Sequence, residues 1–225
     1  GSRGLGRALA AGLVDRGWEV VLDGRHRQTL APVAAALGAA ATAVTGDVCD
    51  EDHRRALVAA ALARGGLDLL VNNASVLGPS PQPSLDAYPL EELRRVYEVN
   101  VLAPLALTQL ALPHLRRARA GRVLNVTSDA SVEAYPGWGG YGSAKAALDH
   151  LSAVLAAEHP EVTVWAVDPG DMRTQMHQEA FPGEDISDRP CPEEVVPPLV
   201  ALIDGGLPSG RYRVSDLGAP VGEGT

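Results

Sequence analysis

The chain has 225 residues, 46% of them apolar, and a formal charge of −9 from 19 basic and 28 acidic side chains. That length and apolar share fit one α/β domain with a sizeable core. The negative balance, with no run of Lys or Arg longer than two, argues against a nucleic-acid binder and against a basic membrane anchor.

Cys49 and Cys191 are too few for a disulfide scaffold and have no metal-ligand spacing, so both read as reduced thiols and no metal site is expected. The apolar stretch 33–44 is too short to span a bilayer and no signal peptide is visible, which makes a cytoplasmic location the expectation.

In chain order, GSRGLG at 1–6 reads as a phosphate-type glycine loop opening a helix, with Leu5, Leu9 and Leu13 along one stripe and a stop at Arg16-Gly17. A short apolar strand at 18–22 leads to Asp23, Gly24 and Arg25, then to a helix over 28–37. The same rhythm recurs in a strand at 41–45 with Asp47 and a helix at 51–64, and in a strand at 67–71 with Asn72-Asn73-Ala74, a Pro-rich loop and a helix over 90–117. A strand at 123–127 ends at Ser128. Tyr141 and Lys145 share one face of a helix over 141–158, whose apolar stripe is Leu148, Leu151 and Leu155. A strand at 162–167 leads to Asp168-Pro169-Gly170 and a long irregular segment, a lid, at about 170–192. A helix at 192–203 and a strand at 211–214 complete a doubly wound parallel sheet with helices on both faces, in one domain spanning 1–225.

The hydroxyl, phenol and ammonium of Ser128, Tyr141 and Lys145 suit proton transfer to or from a substrate oxygen while a hydride moves elsewhere. A lysine about 4 Å from the phenol would favour the phenolate by roughly 4 kcal/mol, or about three pKa units, and Ser128 would hold the substrate oxygen.

With GSRGLG at 1–6, Asp47-Val48, NNAS at 72–75, Asn100 in VYEVNVLAP, Ser128 ahead of YGSAK at 141–145, and PGDMRT at 169–174, the chain resembles the short-chain dehydrogenase/reductase family over essentially its whole length. The resemblance implies a carbonyl/alcohol oxidoreductase in which Ser128, Tyr141, Lys145 and Asn100 are catalytic, Asn100 holding a relay water. It also implies that Gly1, Ser2, Arg3, Gly4, Leu5 and Gly6 approach the cofactor pyrophosphate, that Asp47 and Val48 meet the adenine, and that Asn72 and Ala74 line the cleft. Lys145, beside Tyr141, would bind the nicotinamide ribose, while Pro169, Gly170 and Thr174 would hold the carboxamide. Alignment puts Gly24 where NAD-preferring members carry an acid, and Arg25 and Arg3 could flank a 2′-phosphate, so NADP(H) is expected over NAD(H).

The family pattern also implies a strand and a Thr-Gly pair ahead of Gly1. Burying about five apolar residues at roughly 2 kcal/mol each makes such a strand worth on the order of 10 kcal/mol, so a natural protein about ten residues longer is expected. NNAS, with Ser75 where a glycine is usual, and Trp165 in the sixth strand are smaller departures. A cofactor-binding scaffold without catalysis, or an inert fragment, are the rival readings. Tyr135, Trp138, Glu133 and the lid over 171–181 are expected to line the substrate pocket, and the helices at 90–117 and 141–158 to pack a homodimer or homotetramer.

Overall fold

The computed structural model describes residues 1–217. Helix α1 (Gly4–Asp15) leads to β1 (Val20–Gly24), α2 (Arg27–Leu37), β2 (Ala41–Thr45), α3 (Glu51–Ala63) and β3 (Leu69–Asn72). Then come α4 (Leu90–Tyr97), α5 (Ala103–Leu115), β4 (Arg122–Val126), α6 (Gly139–Glu158), β5 (Thr163–Asp168), α7 (Gln175–Ala180), α8 (Pro192–Gly205) and β6 (Gly210–Arg213). Every strand pairing is parallel, as expected when helices return the chain to the same sheet edge.

Alternation along the strands sends side chains to two cores. Leu124 and Trp165 face α1, α2 and α8, whereas Val123 and Val164, one residue earlier on the same strands, face α3 and α5. The buried Trp165 donates its indole N–H to the carbonyls of Leu207 and Pro208, both at 3.1 Å, so its polar atom is satisfied.

Three details differ from the sequence-based expectations. The first strand expected at 18–22 runs instead over Val20–Gly24, so Asp23 and Gly24 are strand residues paired with Val44 and Thr45. The helix expected over 90–117 is broken by a π turn, Glu98–Leu102, centred on Asn100. The wholly buried Asn100 side chain bonds both backbone groups of Val76, and a widened turn accommodates this insertion. The lid carries a helix of its own, α7.

The expected single sheet is, among the described residues, a pair β1-β2 and a set β3-β4-β5-β6. A cavity of about 560 Å³ lies between β1 and β3, walled by Val20, Val21, Leu22, Leu69, Leu70 and Val71.

Candidate active site

Successive strands deliver the polar candidates to one end of the sheet. Thr127 extends β4 by donating to the Val167 carbonyl at 2.8 Å, and the chain then turns sharply at Ser128. The Ser128 hydroxyl accepts from the Ala130 amide at 3.2 Å and donates to Asp129 Oδ1 at 2.9 Å, which fixes its direction at the strand end.

Helix α6 brings its first turns against that serine because it is glycine-rich there. A Cβ at Gly142 would lie 2.5 Å from the Ala130 carbonyl oxygen, closer than packed atoms tolerate. Tyr141 and Lys145 then face inward, 8% and 2% exposed. The ammonium donates to the Val126 carbonyl at 2.8 Å and sits 5.5 Å from the centre of the Tyr141 ring. The trio expected from sequence is therefore brought together.

Its electrostatics differ from the expectation. Burial pushes the Tyr141 phenol up to about 12, helped by the Asp168 and Asp129 carboxylates and opposed by the hydroxyls of Ser75 and Ser128. Burial likewise brings Lys145 down to about 8, against the pull of Asp149. The lysine does not draw the phenol down by three units, because its ammonium is committed to the Val126 carbonyl and both groups pay for leaving water.

The lid closes the far side. Trp138 meets Tyr141 edge-on at 5.9 Å and Phe181 at 5.8 Å, and the Phe181 ring lies 4.9 Å from that of His177. Of the expected pocket residues, Tyr135 donates to Asp129 Oδ2 at 3.0 Å and Glu133 lies 3.9 Å from Arg213.

On the cofactor side, the amides opening α1 have no side-chain cap, since Arg3 at the N-cap carries donors only and cannot accept from them. Such amides suit a phosphate. Gly4 adopts φ +53°, and a Cβ on Gly6 would lie 2.7 Å from Asn73 Nδ2, so the loop comes close to the strand β3 end only because its residues are small. Gly1, Ser2 and Leu5 complete this loop, with Ser2 against Gly24 and Leu5 anchored in the core. The residues thus fit a dinucleotide.

Asp23 lines the cavity beside β1, its Oδ2 3.8 Å from His53 Nε2, while Arg25 is exposed with no bonded partner among the described residues. Arg3 instead bonds Gln175 on α7, tying the loop to the lid. Thr174 caps α7 by accepting from the His177 amide at 3.2 Å and lies against Gly4. Gly170, at φ +73°, donates to Asp168 Oδ1 at 3.0 Å, one residue beyond Pro169.

Asp47 Oδ1 accepts from the Cys49 amide at 3.0 Å in a tight turn, and Val48 is buried beside it. The Asn72 side chain turns inward at the end of β3. It is buried, donating to Asn125 Oδ1 at 2.7 Å and Thr108 Oγ1 at 3.2 Å, and staples β3 to β4 and α5, whereas Ala74 packs partly buried at the cleft wall.

Sequence reasoning missed Asn73, whose neighbour drew the attention, and a network under the serine. Arg211 donates to the Ser128 carbonyl at 2.9 Å and to Asp149 Oδ2 at 3.0 Å, and the same carboxylate oxygen accepts from Ser131 at 2.6 Å. Asp149 stands one helical turn beyond Lys145 on α6, a spacing that was legible, but nothing in the sequence pairs it with Arg211.

The family model described as short chain dehydrogenase matches residues 1–185. The chain belongs to that family. This short-chain dehydrogenase is 34% identical to 3beta-hydroxysteroid dehydrogenase 1 of Eggerthella lenta, over 87% of its own length and 76% of the relative's. It is also 34% identical to serine 3-dehydrogenase of Rhizobium radiobacter, over 76% and 69% of the two chains. Among solved structures, a short-chain dehydrogenase of Escherichia coli CFT073 complexed with NADPH matches with a TM-score of 0.85 and 28% identity, over 95% of this chain and 92% of that one. One of Shigella flexneri complexed with NADP gives a TM-score of 0.88 at 26% identity, over 95% and 93%. The short-chain dehydrogenase is an α/β oxidoreductase of a family that binds NAD(P), and its relatives are named for different substrates.

Proposed function

We propose that the protein is an NADP(H)-dependent oxidoreductase that interconverts a ketone or aldehyde and the corresponding alcohol by hydride transfer. The observation that carries this reading is the convergence of Ser128, Tyr141 and Lys145 on one buried cleft beside the glycine loop. In the reductive direction the carbonyl oxygen accepts from Ser128 and takes its proton from Tyr141. A phenol pushed up to about 12 stays protonated at neutral pH, which suits an acid. Lys145 holds the Val126 carbonyl and supplies a positive charge beside the ring. The bound cofactor supplies the hydride. Asn100 holds the segment after β3 through both backbone groups of Val76.

Preference for NADP(H) is supported by Asp23 facing His53 and by the exposed Arg25, with Arg3 able to leave Gln175 for a phosphate. Charge-assisted bonds to a 2′-phosphate add about 1.5 to 3 kcal/mol each. Gly1 to Gly6 would carry the pyrophosphate, Asp47 and Val48 the adenine, Asn73 and Ala74 the cleft wall, and Pro169, Gly170 and Thr174 the carboxamide. The aromatic contacts of Trp138 and Phe181 favour a medium-sized, largely apolar substrate.

We read residues 1–225 as one domain with a lid at 170–192, acting in the cytoplasm. Exposed Leu90 on α4, Leu102 at the end of the π turn and Val154 on α6 favour a homodimer or homotetramer through that face. Among the described residues no helix is long and apolar enough to cross a membrane. Titration with NADPH and NADH, followed by cofactor consumption with a panel of carbonyls, tests the reading. Binding without turnover of any carbonyl would leave the scaffold reading in its place.

A further inference from the structure

The turn that carries Ser128 is gripped from a strand far away in sequence. The Ser128 carbonyl accepts from Arg211 Nη2 on β6 at 2.9 Å and from the Ser131 amide at 3.1 Å, so the peptide plane after the serine is held from two directions. The same nitrogen lies 3.2 Å from Ser131 Oγ, and Arg211 Nε donates to Asp149 Oδ2 at 3.0 Å. Ser131 donates to that carboxylate oxygen as well, at 2.6 Å.

Asp149 stands on α6 at the helical repeat that also brings Tyr141 and Lys145 to one side, since positions 141, 145 and 149 follow one another turn by turn. One guanidinium therefore joins the turn that presents the serine hydroxyl to the helix that presents the phenol and the ammonium. The cation is itself fixed, because Asp168 Oδ2 on β5 lies 3.7 Å from Arg211 Nη2 and gives it a second carboxylate from another element. Only a planar fork offers donors at set angles to a carbonyl and a carboxylate at once, which an ammonium does not.

The bonds inside the turn, from the Ala130 amide to Ser128 Oγ and from the Ser131 amide to the Ser128 carbonyl, set its shape. The bonds to Arg211 and Asp149 set where that shape sits against α6. Close approach is possible because Gly142 lacks a Cβ, and the ionic clamp holds the two elements there.

Resting on the proposed function, we propose that Arg211 is a positioning residue for Ser128: anchored by Asp149, its guanidinium holds the serine turn where one substrate oxygen can meet the hydroxyls of both Ser128 and Tyr141. Arg211 touches no reacting atom. Its whole effect on turnover passes through Ser128, so its loss costs no more than loss of the serine hydroxyl.

The test is a double-mutant cycle between Arg211→Ala and Ser128→Ala, read as kcat for carbonyl reduction alongside NADPH affinity. Arg211→Ala alone is expected to lower kcat by about 10- to 100-fold, the scale for a catalytic group misplaced by about an ångström, with NADPH affinity unchanged. In the Ser128→Ala background the same change should alter kcat by less than about threefold, whereas a merely structural role would lower it equally in both. Backbone amide exchange gives a readout free of activity. The Ala130 and Ser131 amides, which bond to Ser128, should exchange about tenfold faster or more in Arg211→Ala, while β4 and α6 keep their protection. A kcat for Arg211→Ala within about threefold of wild type, or a loss that persists by half or more on a logarithmic scale when Ser128 is already alanine, overturns the proposal. Should Arg211→Ala not fold, Arg211→Lys, which keeps a cation between the two carboxylates and loses the fork, takes its place under the same criteria. A wild type that reduces no carbonyl counts against the proposed function, and the exchange data then decide the clamp: faster exchange confined to residues 130 and 131 upholds it, and unchanged exchange overturns it.

Discussion

The two ends of the cleft are held in opposite ways. Around Ser128, Tyr141 and Lys145 several side chains are tied to backbone: the ammonium to Val126, Arg211 to the Ser128 carbonyl, Asn100 to Val76. Around the glycine loop, Arg3 and Arg25 are exposed, the α1 amides lack a side-chain cap, and a 560 Å³ cavity runs beside β1. Residues that time a proton need fixed positions, since an error of an ångström disrupts transfer. Residues that grip a phosphate work as charges and loop amides that a ligand organises on arrival.

Substitutions in the two regions should therefore fail differently. Apart from Tyr141 itself, Lys145→Met is expected to have the largest effect, lowering turnover by about 10²- to 10⁴-fold and weakening cofactor binding, because Lys145 serves both ends. Ser128→Ala should lower kcat by about 10²-fold, the scale for loss of one oxyanion donor, with NADPH affinity unchanged in a fluorescence titration. Equal losses of kcat and affinity in Ser128→Ala would erase the contrast between the two regions.

On the cofactor side, Arg25→Ala is expected to weaken NADPH binding by roughly 10- to 100-fold while sparing NADH, as one charge-assisted bond implies. A similar loss for both cofactors would show that Arg25 does not read the 2′-phosphate. The smallest effect expected is on stability. Gly142→Ala places a Cβ 2.5 Å from the Ala130 carbonyl and should cost about 1 to 3 kcal/mol in denaturant unfolding, with kcat falling as the Ser128 turn is pushed away.

The pH dependence follows from the same burial. Lys145 is brought down to about 8, so its positive charge is present below that pH and lost above it, and reduction should decline as pH rises through 8. Oxidation needs the phenolate of a tyrosine pushed up to about 12, and should rise with pH across the accessible alkaline range. A reductive rate that is flat from neutral pH to well above 8 would separate activity from the Lys145 charge.

The fold was legible wherever local period and turn chemistry agree, as in α6, where Tyr141, Lys145 and Leu148 share the buried face. The Ser128 to Tyr141 pairing was legible through a family resemblance, and the fold brings those residues together. What escaped was decided by tertiary contact. The break at Asn100 needs the backbone of Val76, which no periodicity reveals. That the Asn72 side chain turns inward to Asn125 and Thr108 also depends on elements distant in sequence. The Tyr141 charge balance was misjudged because a pairwise Coulomb sum omits the desolvation that dominates a buried phenol. Arg211 and Asp149, separated by 62 residues, meet only because β6 returns beside α6.

The central claim is that Tyr141 is the proton donor to a carbonyl reduced by NADPH. NADPH consumption with a carbonyl panel and NADPH affinity should be measured side by side for wild type and Tyr141→Phe. The account predicts that the variant loses turnover by about 10²- to 10⁴-fold or more and binds NADPH as tightly as wild type. Turnover by Tyr141→Phe within a few-fold of wild type would contradict it.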